Sequence, residues 1–314
     1  MRTRQSFVDK GGAGRQFTPM RMLSMIVAVF ASLCVALPAL ARGVDQFFTT
    51  SDGIRLHYVD AGPGIASARS AYASTPVLLF VPGWTMPEWI FQPQIDAFSQ
   101  RYRVIALDPR GQGSSEIAPA GYTYDRRGAD IAELIGHLGL RRVLLVGWSL
   151  GVLDSLAYVH TYGDQTLAGL VLIDNSVGED PPPPPPAHPY RKGPKQTHEV
   201  FMASFVKSMF KRPQSAGYLR ALTDAALRTP EWAANALLAY SVPRTYWKEA
   251  VYSTNKPVLY VVRPGFAGQA ANLAAHHVAA DTSVVPDLGH ALFVDDPARF
   301  NAMLQSFMAR RIGA

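Results

Sequence analysis

The sequence predicts an α/β fold: a mostly parallel sheet, helices on both of its faces, and an inserted helical segment. Three observations support this class. Apolar strand-like runs alternate with helix-like patterns along most of the chain, which is typical of a parallel sheet covered by helices. The alternation stops after residue 175 and resumes at residue 257. The composition, 48% hydrophobic and 17% charged over 314 residues, is that of a globular protein.

The alternation begins with a hairpin, because residues 46–51 and 54–59 flank the turn pair Asp52-Gly53. The apolar run VLLFV over 77–81 favours a buried parallel strand. The apolar residues of 124–138 fall on one stripe at helical spacing, which predicts an amphipathic helix. The remaining segments before residue 175 are strands over 103–107, 143–146 and 170–173, helices over 89–99 and 150–162, and a small, polar loop over 62–75.

The inserted segment starts with an unbroken proline run, 181–186, which predicts polyproline II. Four helices are expected next, over 196–211, 216–228, 231–241 and 244–253. Strands over 257–262 and 283–285 and helices over 269–279 and 297–310 then restore the alternation. We therefore expect a first core part (42–175), a helical cap with a proline-rich start (176–255), and a second core part (256–314).

The N-terminus has the pattern of a secretory signal peptide. An uncharged apolar run over 22–37 follows Arg15 and Arg21 and ends in an A-x-A site at 39–41. This predicts a signal peptide over 1–41, cleavage after Ala41, and a periplasmic or secreted protein without stable membrane association. The run is shorter than the roughly 20 residues of a spanning helix. A membrane anchor that stays attached is the alternative.

Removal of this leader also removes Cys34, the only cysteine, so the mature chain has no disulfide or thiol nucleophile. The net charge of +6 falls to +2, because five basic residues and one acid leave with the leader. No Lys/Arg block with interleaved aromatics indicates nucleic-acid binding. Without a Gly-rich phosphate loop or a His pair at ligand spacing, we expect neither a cofactor nor a metal.

The stretch VLLVGWSLG over 143–151 places Ser149 between a strand and a helix. Gly147 and Gly151 are the small neighbours that a strained nucleophile elbow needs. A helix that begins at Leu150 points its positive end at the Ser, which favours developing negative charge. An ordinary Gly-rich turn is the alternative interpretation.

A Ser hydroxyl is a weak nucleophile without a base, and His290 is the best candidate for that base. It lies just before the last helix in PDLGH, 286–290, where it can reach the carboxyl edge of the sheet. The other mature histidines lie in a strand, in helices or in the proline-rich loop and fit less well: His57, His137, His160, His188, His198, His276 and His277.

An oxyanion hole needs two backbone N–H groups. Leu150, directly after the candidate nucleophile, offers one. The turn VPGW over 81–84 offers the other at Trp84, and Gly83 allows a close approach. A plain Pro-Gly turn is the alternative here.

In chain order, PGW (82–84), DPRGQGSS (108–115), GWSLG (147–151) and GH (289–290) resemble the α/β-hydrolase superfamily. The resemblance spans about residues 46–311 and is strongest to the esterase and cofactor-free haloperoxidase-like branch with a helical cap. It implies the α/β-hydrolase fold, and for Asp108 and Arg110 a structural turn network. Relatives often have His-Gly where this chain has Pro82-Gly83.

The triad acid departs from the usual pattern. Relatives commonly carry it after the seventh strand as G-x-x-D, but here the corresponding loop, 263–269, reads RPGFAGQ and contains no acid. Some lipases and haloalkane dehalogenases place the acid after the sixth strand, a position that corresponds to Asp174. A carboxylate is needed there to hold the His tautomer. We therefore expect Asp174; the less favoured acids are Asp154, Asp287, Asp295 and Asp296.

These residues predict an exported serine hydrolase, a carboxylesterase that forms an acyl-enzyme on Ser149. Trp148, Met86, Trp89 and also Trp84 flank the catalytic turns and are expected to line a pocket for small hydrophobic or aromatic esters. A perhydrolase, acyltransferase or lactonase would use the same triad. A non-catalytic ligand-binding protein with this fold is the alternative from another class. Relatives with dehalogenase or epoxide hydrolase activity carry Asp at the nucleophile position, so those activities are disfavoured.

Overall fold

A computed structural model describes residues 43–62, 75–182 and 197–313. The predicted leader 1–41, most of the loop 62–75 and the proline run from 183 onward lie outside these residues. The described chain forms one eight-stranded sheet from β1 (Val44–Thr49), β2 (Arg55–Ala61), β3 (Val77–Val81), β4 (Val104–Leu107), β5 (Val143–Trp148), β6 (Leu167–Ile173), β7 (Val258–Val262) and β8 (Ala280–Val284).

The strands lie in the order β1-β2-β4-β3-β5-β6-β7-β8. Only β2 pairs in the antiparallel sense, with β1 and β4; the other neighbours are parallel. Every residue of β3, β4, β5 and β7 is buried, as expected when helices cover both faces of a sheet. The predicted fold class is confirmed.

The helices of the described ranges are α1 (Gln92–Phe98), α2 (Tyr124–His137), α3 (Leu150–Tyr162), α4 (His198–Ser208), α5 (Ala216–Leu227), α6 (Glu231–Leu237), α7 (Arg244–Tyr252), α8 (Ala267–His276), α9 (Leu292–Asp295) and α10 (Pro297–Phe307). The helix expected over 89–99 is in fact a 3₁₀ turn, Glu88–Phe91, followed by α1. Pro93 stands in the first turn of α1, where a missing N–H costs nothing. None of the helices in the described segments has the length and apolar character needed to cross a membrane.

The strand register brings four chain segments to one edge of the sheet. Val81 pairs with Gly147, Trp148 with Ile173, and Ile173 with Val261. Because these strands are parallel and end level with one another, the residues that follow β3, β5, β6 and β7 all emerge together. This edge carries the candidate site.

Helices α4 to α7 lie between β6 and β7 in the chain and contact the loops at this edge. The indole Nε1 of Trp84 donates to the carbonyl of Ala234 at 2.7 Å. The Thr229 hydroxyl donates to the carbonyl of Gly111 at 2.8 Å. The backbone N–H of Ala291 donates to the carbonyl of Met209 at 3.0 Å. The division of the chain into core parts and cap remains a prediction.

Candidate active site

The backbone of Ser149 is held in a strained conformation, with φ 55° and ψ −119°. A residue other than glycine adopts such backbone angles at a cost of about 1–3 kcal/mol, and only where the surrounding structure enforces them. Two hydrogen bonds hold the backbone of Ser149 in this conformation. Its N–H donates to the carbonyl of Ile173 at 2.9 Å, and its carbonyl accepts from the side-chain amide of Asn175 at 2.8 Å. The turn between β5 and α3 thus projects the hydroxyl from the sheet edge.

The two glycines around Ser149 are needed because backbones cross there. A Cβ on Gly151 would overlap the carbonyl oxygen of Val81, and one on Gly147 would overlap the carbonyl of Gly151. A Cβ on Gly83 would lie 2.9 Å from that of Ser149. The close approach that the sequence predicted at Gly83 is therefore present.

Replacement of Gly151 by Ala is expected to destabilise the protein, because the new Cβ meets backbone atoms that cannot rotate away. We expect a loss of about 1–3 kcal/mol in the free energy of unfolding, measured by urea denaturation. Gly136→Ala is the matched control: no atom lies within 4 Å of its added Cβ, so stability should hold or rise slightly. Equal stability of Gly151→Ala and wild type would contradict this packing argument.

His290 and Asp174 complete a line of three side chains with Ser149. The Nε2 of His290 lies 2.8 Å from the Ser149 hydroxyl oxygen, and its Nδ1 lies 2.6 Å from Oδ2 of Asp174. The side chain of Asp174 is 0% exposed and that of His290 is 19% exposed. The structure thus brings together the three residues that the sequence proposed as nucleophile, base and acid.

The hydrogen bonds define the tautomer of His290. Burial raises the pKa of Asp174, but the hydrogen bond from His290 and the charges of His290 and Arg263 lower it further, so its pKa lies below the ordinary value. An ionised carboxylate only accepts hydrogen bonds, so Nδ1 of His290 must carry the proton. Nε2 is then free to accept the proton of the Ser149 hydroxyl.

Arg263 also contacts this line, which the sequence analysis did not anticipate. It directly follows β7, in the loop that lacks the usual acid. Its backbone N–H donates to Oδ1 of Asp174 at 2.9 Å, and its Nε donates to Oδ2 at 2.6 Å. The sequence does contain a signal for this contact, because Arg263 is a basic residue directly after a strand that ends at the catalytic edge of the sheet.

The predicted oxyanion donors lie on two neighbouring turns. Within the described chain, neither the N–H of Trp84 nor that of Leu150 donates to another backbone carbonyl outside a helix or strand. Gln112, which the sequence analysis missed, holds the Trp84 turn: its amide accepts from the N–H of Thr85 at 3.0 Å and donates to the carbonyl of Gly83 at 3.0 Å. The turn is therefore fixed before any substrate arrives.

The predicted pocket residues are placed differently from what the sequence suggested. Met86 is fully buried, and Trp148 is 1% exposed. The Trp148 indole donates to the carbonyl of His290 at 2.9 Å and packs against the ring of Phe293. It therefore stabilises the loop that carries His290. Trp89 lines a cavity of about 600 Å³ with Tyr218, a cavity that neither Ser149 nor His290 lines.

Around Trp84 the structure shows an aromatic cluster that the sequence did not single out as a unit. Its ring lies 5.0 Å from that of Phe205 and 6.4 Å from that of Phe201, both on α4. These aromatic residues stand beside the predicted oxyanion turn. Together they form an apolar wall beside that turn.

A second polar cluster lies under the turn that follows β4. His57, Glu88 and Asp108 are buried and offer three possible metal-ligand atoms within 4.8 Å of one another. The carboxylate of Asp108 is already engaged, because it accepts from Nδ1 of His57 at 2.8 Å and from the N–H groups of Glu88 and Ser114, each at 2.7 Å. These bonds indicate a network that holds the turn, which agrees with the structural role that the resemblance implies for Asp108.

Glu88 gives this network a pH dependence. Burial and the charge of Asp108 raise its pKa to about 8, from an ordinary value of 4.5. The folded state therefore holds a proton that the unfolded state releases, and this stabilisation is lost as pH rises from about 4.5 to 8. Relative to Glu88→Gln, wild type should lose on the order of 3 kcal/mol across this window in urea unfolding. Glu231→Gln, at an exposed site, should follow wild type; parallel wild-type and Glu88→Gln curves would contradict the expectation.

The fold and the site together define a class of protein: an eight-stranded α/β fold with a serine in a strained strand-to-helix turn at its sheet edge. A sequence model of the alpha/beta hydrolase family matches residues 78–303. The chain belongs to this family. This confirms the resemblance that the ordered motifs indicated.

Individual relatives agree with the esterase and non-heme haloperoxidase branch. A non-heme haloperoxidase from Rhodococcus erythropolis is 38% identical over 128 residues, 40% of this chain and 43% of that protein. A bifunctional esterase/perhydrolase from Acinetobacter calcoaceticus is 33% identical over the same length, with the same two shares. The matched stretch spans less than half of these curated relatives.

Solved structures extend the similarity of fold over nearly the whole domain. An esterase from Exiguobacterium antarcticum superposes with a TM-score of 0.69 at 19% identity. The match covers 85% of this chain and 100% of that structure. At this level of identity the comparison concerns the fold alone.

Proposed function

We propose that the protein is a serine hydrolase, a carboxylesterase that acts on small hydrophobic or aromatic esters through an acyl-enzyme on Ser149. The observation that carries the proposal is the contact of His290 with both the Ser149 hydroxyl, at 2.8 Å, and the buried Asp174 carboxylate, at 2.6 Å. A hydroxyl, an imidazole and a carboxylate in this order form the arrangement that activates serine for acyl transfer.

In the first half of the reaction, Oγ of Ser149 attacks the ester carbon while Nε2 of His290 takes its proton. The carbonyl oxygen becomes an oxyanion, which accepts hydrogen bonds from the N–H groups of Trp84 and Leu150. The C–O bond to the alcohol then breaks, and His290 gives its proton to the departing alkoxide. An acyl group stays bound to Ser149.

In the second half, His290 takes a proton from water, and the resulting hydroxide attacks the acyl carbon. The tetrahedral intermediate collapses, the bond to Ser149 breaks, and the proton returns to Oγ. The products are a carboxylic acid and the free enzyme. The aromatic wall of Trp84, Phe201 and Phe205 supports the preference for apolar esters.

A fluorophosphonate probe tests the serine directly, because it forms a covalent bond only with an activated nucleophile. We expect folded wild-type protein to be labelled at Ser149 and to hydrolyse chromogenic esters. A panel of acyl lengths, with aromatic and aliphatic members, then measures kcat/KM. Folded protein that resists the probe would favour the alternative of a non-catalytic ligand-binding protein.

Perhydrolysis is the second candidate, and its support is the similarity to the bifunctional esterase/perhydrolase. Hydrogen peroxide would replace water as the attacking group on the acyl-enzyme, so the product would be a peracid. Peracid formation from an ester with peroxide, compared with acid release without it, separates the two activities.

We also propose that residues 1–41 are a signal peptide and that the mature protein is periplasmic or secreted. The apolar run over 22–37 and the A-x-A site support this. N-terminal sequencing of protein from the periplasm or the medium should begin at Arg42. A retained leader in the membrane fraction would support the anchor alternative.

A further inference from the structure

Arg263 stands where most relatives carry the triad acid and contacts Asp174, the residue that takes that role here. We propose that Arg263 is a positioning residue of this hydrolase: its guanidinium fixes the Asp174 carboxylate, and its charge acts on the Asp174–His290 pair during turnover. The inference rests on the proposed serine hydrolase function.

The hydrogen bonds show how Arg263 restrains the carboxylate. Its backbone N–H binds Oδ1 of Asp174 at 2.9 Å, and its Nε binds Oδ2 at 2.6 Å. Nδ1 of His290 donates to that same Oδ2 at 2.6 Å. With both oxygens engaged, the carboxylate cannot rotate away from His290. Such charge-assisted bonds are strong, and Asp174 is 0% exposed, so water does not compete.

The second contribution is electrostatic. Nη2 of Arg263 lies 3.4 Å from Nδ1 of His290. Nδ1 already carries the proton that it donates to Asp174, so two donors face each other and the contact is not a hydrogen bond. Within the described residues, Asp174 and Arg263 are the charged side chains in contact with His290. The guanidinium charge therefore acts directly on the Asp174–His290 pair, and it favours the ionised form of Asp174.

The outer face of the guanidinium is open to solvent. Arg263 is 40% exposed and lines a cavity of about 430 Å³ together with Phe266, Leu288 and Gly289. Neither Ser149 nor His290 lines this cavity, and Arg263 lies on the side of the imidazole opposite to Ser149. Truncation of the side chain would therefore leave a space that a small planar cation can reach without entering the ester site.

Arg263→Ala should lower kcat by about 10–100-fold and leave KM near the wild-type value, since misplacement of the base slows chemistry and does not change ester binding. Guanidinium chloride, below concentrations that unfold the protein, should restore part of kcat, whereas sodium chloride at equal ionic strength should not. Arg311→Ala is the matched control, because Arg311 is 39% exposed and also pairs with an aspartate, Asp281.

Arg263→Lys covers the case in which the Ala variant does not fold. Lysine keeps the charge and loses the planar fork, so kcat should fall several-fold while KM stays near the wild-type value. Wild-type kcat in folded Arg263→Lys, or kcat within twofold of wild type in Arg263→Ala, would overturn the inference. An inert wild type, without ester turnover or probe labelling, would instead refute the proposed hydrolase function.

Discussion

Ser149→Ala is expected to lower kcat on a chromogenic ester by on the order of 10⁶, because it removes the hydroxyl that we propose bonds to the acyl carbon. The proposed oxyanion donors at Trp84 and Leu150 remain, and so does ester binding, so some rate above that in water should persist. KM should change little. Labelling by a fluorophosphonate probe should disappear.

The same variant should fold normally, because alanine takes the strained backbone angles of Ser149 no worse than serine does. Both hydrogen bonds that hold this turn use backbone atoms of residue 149, and they survive the change. Ser306→Ala, at an exposed serine of α10, is the control and should retain kcat within a few-fold. Substantial ester turnover by folded Ser149→Ala would show that another nucleophile acts.

The residues best predicted from sequence are those whose local context defines their geometry. Ser149 lies between two glycines after an apolar strand, and those neighbours dictate the elbow that the structure shows. His290 follows the last strand by a short loop, so it lies at the carboxyl edge of the sheet. The role of Asp174 was predicted by comparing the segments that follow β6 and β7. The loop after β7, at 263–269, contains no acid, so the acid after β6 was the better candidate.

Other features depend on contacts between distant segments and could not be predicted from local pattern. The pairing of Arg263 with Asp174 follows from the register of β6 against β7, since it aligns two strand ends that lie 89 positions apart. Trp148 was expected in the pocket because it precedes Ser149, but successive side chains of a strand point to opposite faces. Its indole consequently packs beneath His290. The burial of Glu88 likewise depends on the long-range approach of β2 and β4.

The Asp174 carboxylate accepts a hydrogen bond from Nδ1 of His290 and so keeps the proton on that nitrogen. Nε2, which faces Ser149, is then unprotonated. Asp174→Asn removes this control, because the amide NH₂ can donate to Nδ1 and drive the proton onto Nε2. In that tautomer the base faces Ser149 with a hydrogen and cannot accept the hydroxyl proton. We expect kcat to fall by about 10⁴, with the fold retained and probe labelling slowed to a similar extent.

Two controls make this result specific to Asp174. Asp287→Asn changes an exposed aspartate three positions before His290 that pairs only with Arg299 among its described contacts, and it should leave kcat near wild type. Urea unfolding of Asp174→Asn tests whether lost activity reflects lost structure, since Arg263 then faces an uncharged partner. Folded Asp174→Asn with kcat within tenfold of wild type would show that another acid orients His290. Asp295, which accepts from the N–H of Gly289 at 2.7 Å, would then be the next candidate.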